Sequence, residues 1–258
     1  MINPPPKIID TPTGIQTLLA NLTNLPNNPP SLYIDLEGIN LGRHGSISIL
    51  QIFHLPSNEI YLVDIHTLGS NAFTTPSPRD PTVKKTPTTL KTILESPTIQ
   101  KAFFDVRNDS DALYSHFGIY LSGIQDIQLL ELATRTFTKQ HVNGLAKCID
   151  RDAGLSLTER LECSTIKEKG KRLFAPELGG SYEVFNVRPM RKDIVLYCAQ
   201  DVRILSRLWN IYDGSLLAGW RERVEVAVRE RVDVCLLPVY SGKGRERALA
   251  PEGWTWAL

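Results

Sequence analysis

The chain has 258 residues, 42% hydrophobic and 22% charged, the profile of a soluble globular protein and not of a disordered or fibrous one. No run approaches the ~18 consecutive apolar residues that a membrane helix needs. The opening residues lack a basic-then-apolar leader, and Cys148, Cys163, Cys198 and Cys235 form no C-x-x-C pair. The expectation is therefore an intracellular protein, cytoplasmic or nuclear, without a membrane partner, zinc site or disulfide framework. A net charge of +1 argues against coating nucleic acid by bulk charge. The charge is uneven, however: residues 1–128 hold 8 basic and 11 acidic residues, and residues 129–258 hold 21 and 17.

Residues 1–30 form a Pro/Asn-rich lead in which Ile15, Leu18, Leu19 and Leu22 recur at helical spacing, with Thr13 or Thr11 as the cap. An apolar strand then ends in Asp35-Leu36-Glu37-Gly38, residues 46–53 alternate, and residues 60–65 are apolar again. Turn residues separate the three runs, so an antiparallel meander is expected. Residues 71–89 carry four prolines and few large apolar side chains, and read as an exposed, mobile insertion. A short helix at 90–94, a fourth strand at 100–106 and a helix at 109–117 stopped by Gly118 follow. Beyond residue 127 the chain reads as mainly helical, over 129–134, 142–152, 157–162 and 192–212. Residues 220–234 favour a helix, though the alternation of Val224, Val226 and Val228 keeps a strand open. The last twenty residues read as a tail with Trp254 and Trp256 available to dock. Strands first and helices later, with one strand–helix–strand crossover, describe a single α/β or α+β domain over 31–212 and an extension over 213–258.

Three acidic features bear on chemistry. Asp35 and Glu37 stand two apart at a strand end, where side chains share a face and like charges repel unless a cation joins them. Tyr197 and Asp201 are four apart on a helix whose apolar stripe is Ile194, Val195, Cys198, Val202 and Leu205. Asp109 opens a helix, with Asp105 and Asp111 as competitors. Each alone is better read as a polar turn, an exposed pair or an N-terminal cap. The ordered set is more specific than its parts.

That set resembles the DEDDy branch of the 3′–5′ exonucleases, the ribonuclease D-like domain family. Ser48-Ile49-Leu50-Gln51-Ile52, Asn108-Asp109-Ser110-Asp111-Ala112-Leu113, Asp126-Ile127-Gln128, Asn143-Gly144-Leu145-Ala146 and Arg188-Pro189-Met190 extend the likeness over about residues 30–212. The wording around Asp109 is similar to the exonuclease 3′–5′ domain-containing and Egalitarian-like proteins. The resemblance implies an α/β ribonuclease H-like fold, a mixed five-stranded sheet flanked by helices. It implies catalytic roles for Asp35, Glu37, Asp109, Tyr197 and Asp201, the four acids holding two Mg²⁺ or Mn²⁺ ions. In the family pattern Asp35 bridges both ions, Glu37 and Asp201 complete the first, Asp109 holds the second through water, and Tyr197 orients the attacking water. The expected partner is the 3′ end of a single-stranded RNA or DNA. Leu36 and Gly38 are the candidates for touching the terminal nucleotide, with Phe104 and His116 nearby. Lys171, Arg172 and Arg188, within a basic run from Lys167 to Lys192, are the candidates for the phosphate path. Some relatives with this wording are thought to bind RNA without catalysis, so a non-catalytic adaptor is the competing expectation. All five catalytic positions are present here, which favours activity.

Overall fold

A computed structural model describes residues 4–22, 25–78 and 87–254. Its centre is the meander that the alternating runs require: β2 (Leu32–Glu37), β3 (Ile49–His54) and β4 (Glu59–Asp64), with Asp35 opposite Gln51 and Ile52 opposite Tyr61. β5 (Lys101–Phe103) lies parallel to β2, and β6 (Ile124–Asp126) lies parallel to β5. The remaining strand, β1 (Lys7–Ile9), pairs parallel to β4. The sheet is therefore six-stranded, in the order β1-β4-β3-β2-β5-β6, where five strands were expected. The sixth comes from the lead, from three residues set between prolines and too short to show alternation.

Strand parity divides the sheet into two faces. Leu32, Ile34, Leu36, Leu50, Ile52, Tyr61, Val63 and Phe103 pack on one side. Covering that side are α1 (Pro12–Asn21, capped by Thr11), the short turns α2 (Ile65–Leu68) and α3 (Asn71–Thr74), α4 (Leu90–Glu95) and α5 (Arg107–Phe117). Tyr33, Ile49, Phe53, Ile60, Leu62 and Ala102 point the other way. There they meet α6 (Ile127–Thr134), α7 (Leu145–Asp152), α8 (Leu157–Phe174), α9 (Lys192–Ser215) and α10 (Ala218–Val234). α9 is the hub, packing on β2 to β5 and on α6, α7 and α8.

Two stretches differ from their sequence reading. Asn71–Thr74, expected to begin an exposed insertion, is a helical turn with Ala72 and Phe73 buried, and the Phe73 ring sits 4.6 Å from that of Phe117. Ser77 donates its N–H to Thr88 O at 2.7 Å, closing the neck of that stretch, while residues 79–86 lie outside the described residues. α8 runs through residue 174 where 157–162 was expected, because its apolar side chains are sparse and only Gly170 is buried. α10 is a helix: Trp220, Val224, Ala227 and Val228 join the α6 side of the core, and Trp254 packs edge-on to Trp220 at 5.0 Å. Trp256 lies outside the described residues. None of the helices among the described residues is long and apolar enough to cross a membrane.

One buried ion pair fastens α10 to the sheet edge. Asp126 is fully buried and caps α6, accepting the N–H groups of Gln128 (3.0 Å), Asp105 (3.1 Å) and Val106 (3.3 Å). Arg231 on α10 completes its shell, with Nη1 2.6 Å from Asp126 Oδ2 and 3.6 Å from Asp105 Oδ1. Breaking such a pair strands the carboxylate without its counter-charge. Arg231→Met is expected to lower unfolding free energy by about 3–5 kcal/mol, read by urea denaturation. An unchanged midpoint would mean that Asp126 is satisfied by backbone N–H groups alone.

Candidate active site

Asp35 and Glu37 continue the Tyr33 side of β2 and so face α9. Across from them α9 presents Tyr197 and Asp201, one turn apart, while Ile194, Cys198, Val202 and Leu205 of the same helix are buried. Carboxylate oxygens of Asp35, Glu37 and Asp201 lie within 4.8 Å of one another. Asp109, in the first turn of α5, is buried beside this trio, close enough for Asp35 to disfavour its ionisation. The two neighbouring acids are paired elsewhere. Asp105 grips Arg107 (2.5 and 2.6 Å) from a left-handed backbone with φ of 62°, and Asp111 holds Arg43 (Nε at 2.8 Å). Asp109 is the one of the three whose Oδ1 is buried without a hydrogen bond.

Loss of solvent raises every carboxyl of the group, and repulsion from neighbouring acids adds to it at Asp35, Glu37 and Asp109. Asp35 is pushed up to about 7, by burial first and by Asp201 second. Glu37 is held well above its ordinary value by burial, then by Asp35, Asp201 and Asp109. Asp109 rises for burial, then for Asp35 and Asp105. Asp201 is raised by burial, against the opposing pull of Lys167, a hydrogen bond from Tyr197, and Lys171. Burial, then Asp201 and Glu37, keep the Tyr197 hydroxyl protonated, and its nearness pulls the Glu37 and Asp201 carboxyls downward.

α8 supplies the back wall. A Cβ at Gly170 would lie 2.8 Å from the Cβ, Cγ and Cδ2 of Tyr197, so only glycine lets the ring seat there. Phe174 then tilts against it at 5.1 Å. Neither residue was singled out from the sequence. A glycine inside a helix costs roughly 0.5–1 kcal/mol relative to alanine, and that cost was the available signal. Lys167 and Lys171 share the α8 face toward Asp201. Gln51, in register with Asp35, is also buried, and both polar atoms of its amide lack partners.

Of the other expected contact residues, only Gly38 borders the carboxylates. Leu36 has the opposite parity to Asp35 and Glu37, so its side chain is buried in the far core and cannot reach a nucleotide on the α9 side. Gly38 does border the site, but its missing Cβ is demanded by Ser46 O, which would lie 2.0 Å away. Arg188 forks onto Asp64 at 2.5 and 2.6 Å and donates to Phe185 O, so its guanidinium ties the 182–189 loop to the end of β4 instead of facing the carboxylates. Arg172 is exposed near the end of α8, adjacent in sequence to Lys171 and therefore turned from its face. His116 bonds Gly42 O at 3.0 Å, and Phe104 packs on the core.

The donor set fits hard divalent cations. Its oxygens are carboxylate only, they converge, and Asp109 Oδ1 and Asp201 Oδ1 are buried without partners. Asp35, Glu37 and Asp201 could hold a divalent cation, with Asp109 beside them.

The 3′–5′ exonuclease family model matches residues 6–213. Human piRNA biogenesis protein EXD1 is 32% identical over 178 residues, covering 67% of this chain and 30% of the relative, so the chain spans under a third of that protein's length. Among solved structures, Trypanosoma brucei RNase D in complex with RNA U12 superposes with a TM-score of 0.75 at 19% identity, covering 98% of this chain and 79% of the other. Escherichia coli RNase D superposes at 0.63 with 17% identity, covering 91% and 51%. Matched by its family model over most of its length and folded like RNase D, the chain belongs to the 3′–5′ exonuclease family.

Proposed function

We propose that this chain removes nucleotides from the 3′ end of single-stranded RNA or DNA by hydrolysis that requires two Mg²⁺ or Mn²⁺ ions. The observation that carries the proposal is the convergence of Asp35, Glu37 and Asp201 within 4.8 Å, beside buried Asp109. When bound, such ions supply a nucleophile at neutral pH and relieve charge on the scissile phosphate. Asp35, on the central strand β2, would hold ions together with Glu37 and Asp201 on one side and with Asp109 on the other. Tyr197, protonated and fixed by Gly170 and Phe174, aims its hydroxyl at the attacking water and is not a base. Lys167 and Lys171 draw the phosphate chain toward Asp201 and offset the acidic charge. All four cysteines are free, which supports a reducing intracellular setting, cytoplasmic or nuclear.

The likeness to EXD1, a protein named for piRNA biogenesis, favours a second reading, an RNA-binding adaptor on an exonuclease fold. The two readings part on a 5′-labelled single strand incubated with Mg²⁺ or Mn²⁺. Hydrolysis predicts a ladder receding from the 3′ end, and Asp35→Asn is expected to slow it on the order of a thousandfold, ~4 kcal/mol of transition-state stabilisation. A strand bound but left intact by the unmodified protein would establish the adaptor instead. Tyr197→Phe is expected to lower kcat ~10²-fold with KM little changed; an unaltered kcat would remove the tyrosine from the mechanism.

Electrostatics predict the pH response. Folding raises Asp35 from 3.8 to about 7, so the metal-free fold keeps a proton that the unfolded chain has released. The metal-free protein therefore loses stability as pH rises through that window, and Mg²⁺, which competes with the same protons, stabilises it more at pH 8 than at pH 6. The rise in melting temperature on adding Mg²⁺ should grow with pH. In chelator, Asp201→Asn should melt above the unmodified protein and show little Mg²⁺ shift. An equal shift at both pH values, or a normal shift in the variant, would contradict the site.

A further inference from the structure

The family match ends at residue 213, yet the chain beyond α10 returns to the carboxylates. Residues 235–250 form a strap fastened at several points. Arg43, itself held by Asp111, donates to Cys235 O (2.7 Å) and Pro238 O (3.1 Å). The Tyr240 ring lies beneath the Arg247 guanidinium at 3.9 Å, with Arg43 at 5.5 Å. Gly242 presses so closely on Asn108, the residue before Asp109, that a Cβ would come 2.4 Å from its Oδ1. Arg107 Nη2 donates to Arg247 O at 2.9 Å, and Val142 N–H to Ala248 O at 2.9 Å. Between the strap and the turn after Glu37 lies a cavity of about 430 Å³, bordered by Glu37, Gly38, His44, Asn108, Tyr182 and Lys243.

We propose that this strap is a specificity element: it forms the outer wall of a pocket for one unpaired terminal nucleotide, and Lys243 contacts that nucleotide's phosphate. The inference rests on the exonuclease reading and extends it to a segment outside the family match. Three features support it. The cavity is toward the lower end of the range for small-ligand sites, about 300–1,000 Å³, and its walls are pinned, so it suits one nucleotide better than a base pair. It opens on Glu37, so a nucleotide seated there lies next to the carboxylate group. Its charge is also suited. Arg43 neutralises Asp111, whereas Lys243 is exposed and forms no ion pair among the described residues. Tyr182, whose ring stacks on Phe174 at 6.0 Å, offers an aromatic face of the kind that stacks bases without regard to sequence.

The test uses the full chain carrying Asp201→Asn, so that bound strands are not degraded, and compares it with the same protein carrying Lys243→Ala, Lys243→Glu or, as a control for lost surface charge, Lys147→Ala. The probes are uridine 5′-monophosphate and a twelve-residue oligouridylate with a 5′ fluorophore, titrated over a range of salt. Lys243→Ala is expected to weaken both about tenfold and to reduce the salt dependence of oligonucleotide binding by about one phosphate contact, with Lys243→Glu weaker still and Lys147→Ala unchanged. Unchanged affinity for uridine 5′-monophosphate, a loss matched by Lys147→Ala, or no binding of either probe by the parent protein overturns the strap's role. Digestion of the oligonucleotide by the chain with Asp201 intact reports separately on the exonuclease reading: binding that depends on Lys243 without digestion would sink that reading and leave the pocket standing.

Discussion

Four carboxyl groups crowded together, two of them buried and two half-buried, are the constraint on which the rest of the structure turns. Nothing in the sheet alone requires Asp35 and Glu37 to share their face with another acid; α9, wedged against β2 to β5, imposes Asp201 on them. Isolated, such a group is a liability, and the raised proton affinities of all four carboxyls express it. The surrounding chain answers with positive charge from Lys167 and Lys171, a hydroxyl donor from Tyr197, and a closely fitted wall at Gly170. What it leaves unanswered, the orphaned oxygens of Asp109 and Asp201, is where cations would complete the site.

The same logic reaches the periphery. Asp109 is placed by the start of α5, and that start is placed by Asp126, which takes the N–H groups of Asp105 and Val106. Asp126 in turn is neutralised from α10, beyond the region of the family match. The C-terminal residues thus hold the start of α5, and with it Asp109, from behind through Arg231 and border the carboxylates through the strap. Each contact is local, but together they make the chain past residue 213 part of the site's frame.

Much of this was legible in the sequence, and the reasons are specific. Alternation located the meander, and the i,i+4 spacing of Tyr197 and Asp201 on an apolar stripe located the helix face opposite it. Gly118 ended α5 as read, in a left-handed conformation. β1 and β6 were not read from the residues: each has three, and neither stands out as a separate apolar run of the kind that disclosed the equally short β5. The choice among Asp105, Asp109 and Asp111 needed their partners, and Arg43 lies 68 residues from Asp111. Arg188 read as a phosphate ligand because its partner, Asp64, is 124 residues away. Leu36 is the different case: the parity that put Asp35 and Glu37 on one face already put Leu36 on the other.

The central claim is that Asp35, Glu37, Asp109 and Asp201 form a binding site for divalent cations, and anomalous diffraction from crystals soaked in Mn²⁺ tests it most directly. The account expects anomalous peaks among the oxygens of Asp35, Glu37 and Asp201 and beside Asp109. Crystals that take up no Mn²⁺ there, with the carboxyls instead sharing protons or bonded to Lys167 and Lys171, would contradict it.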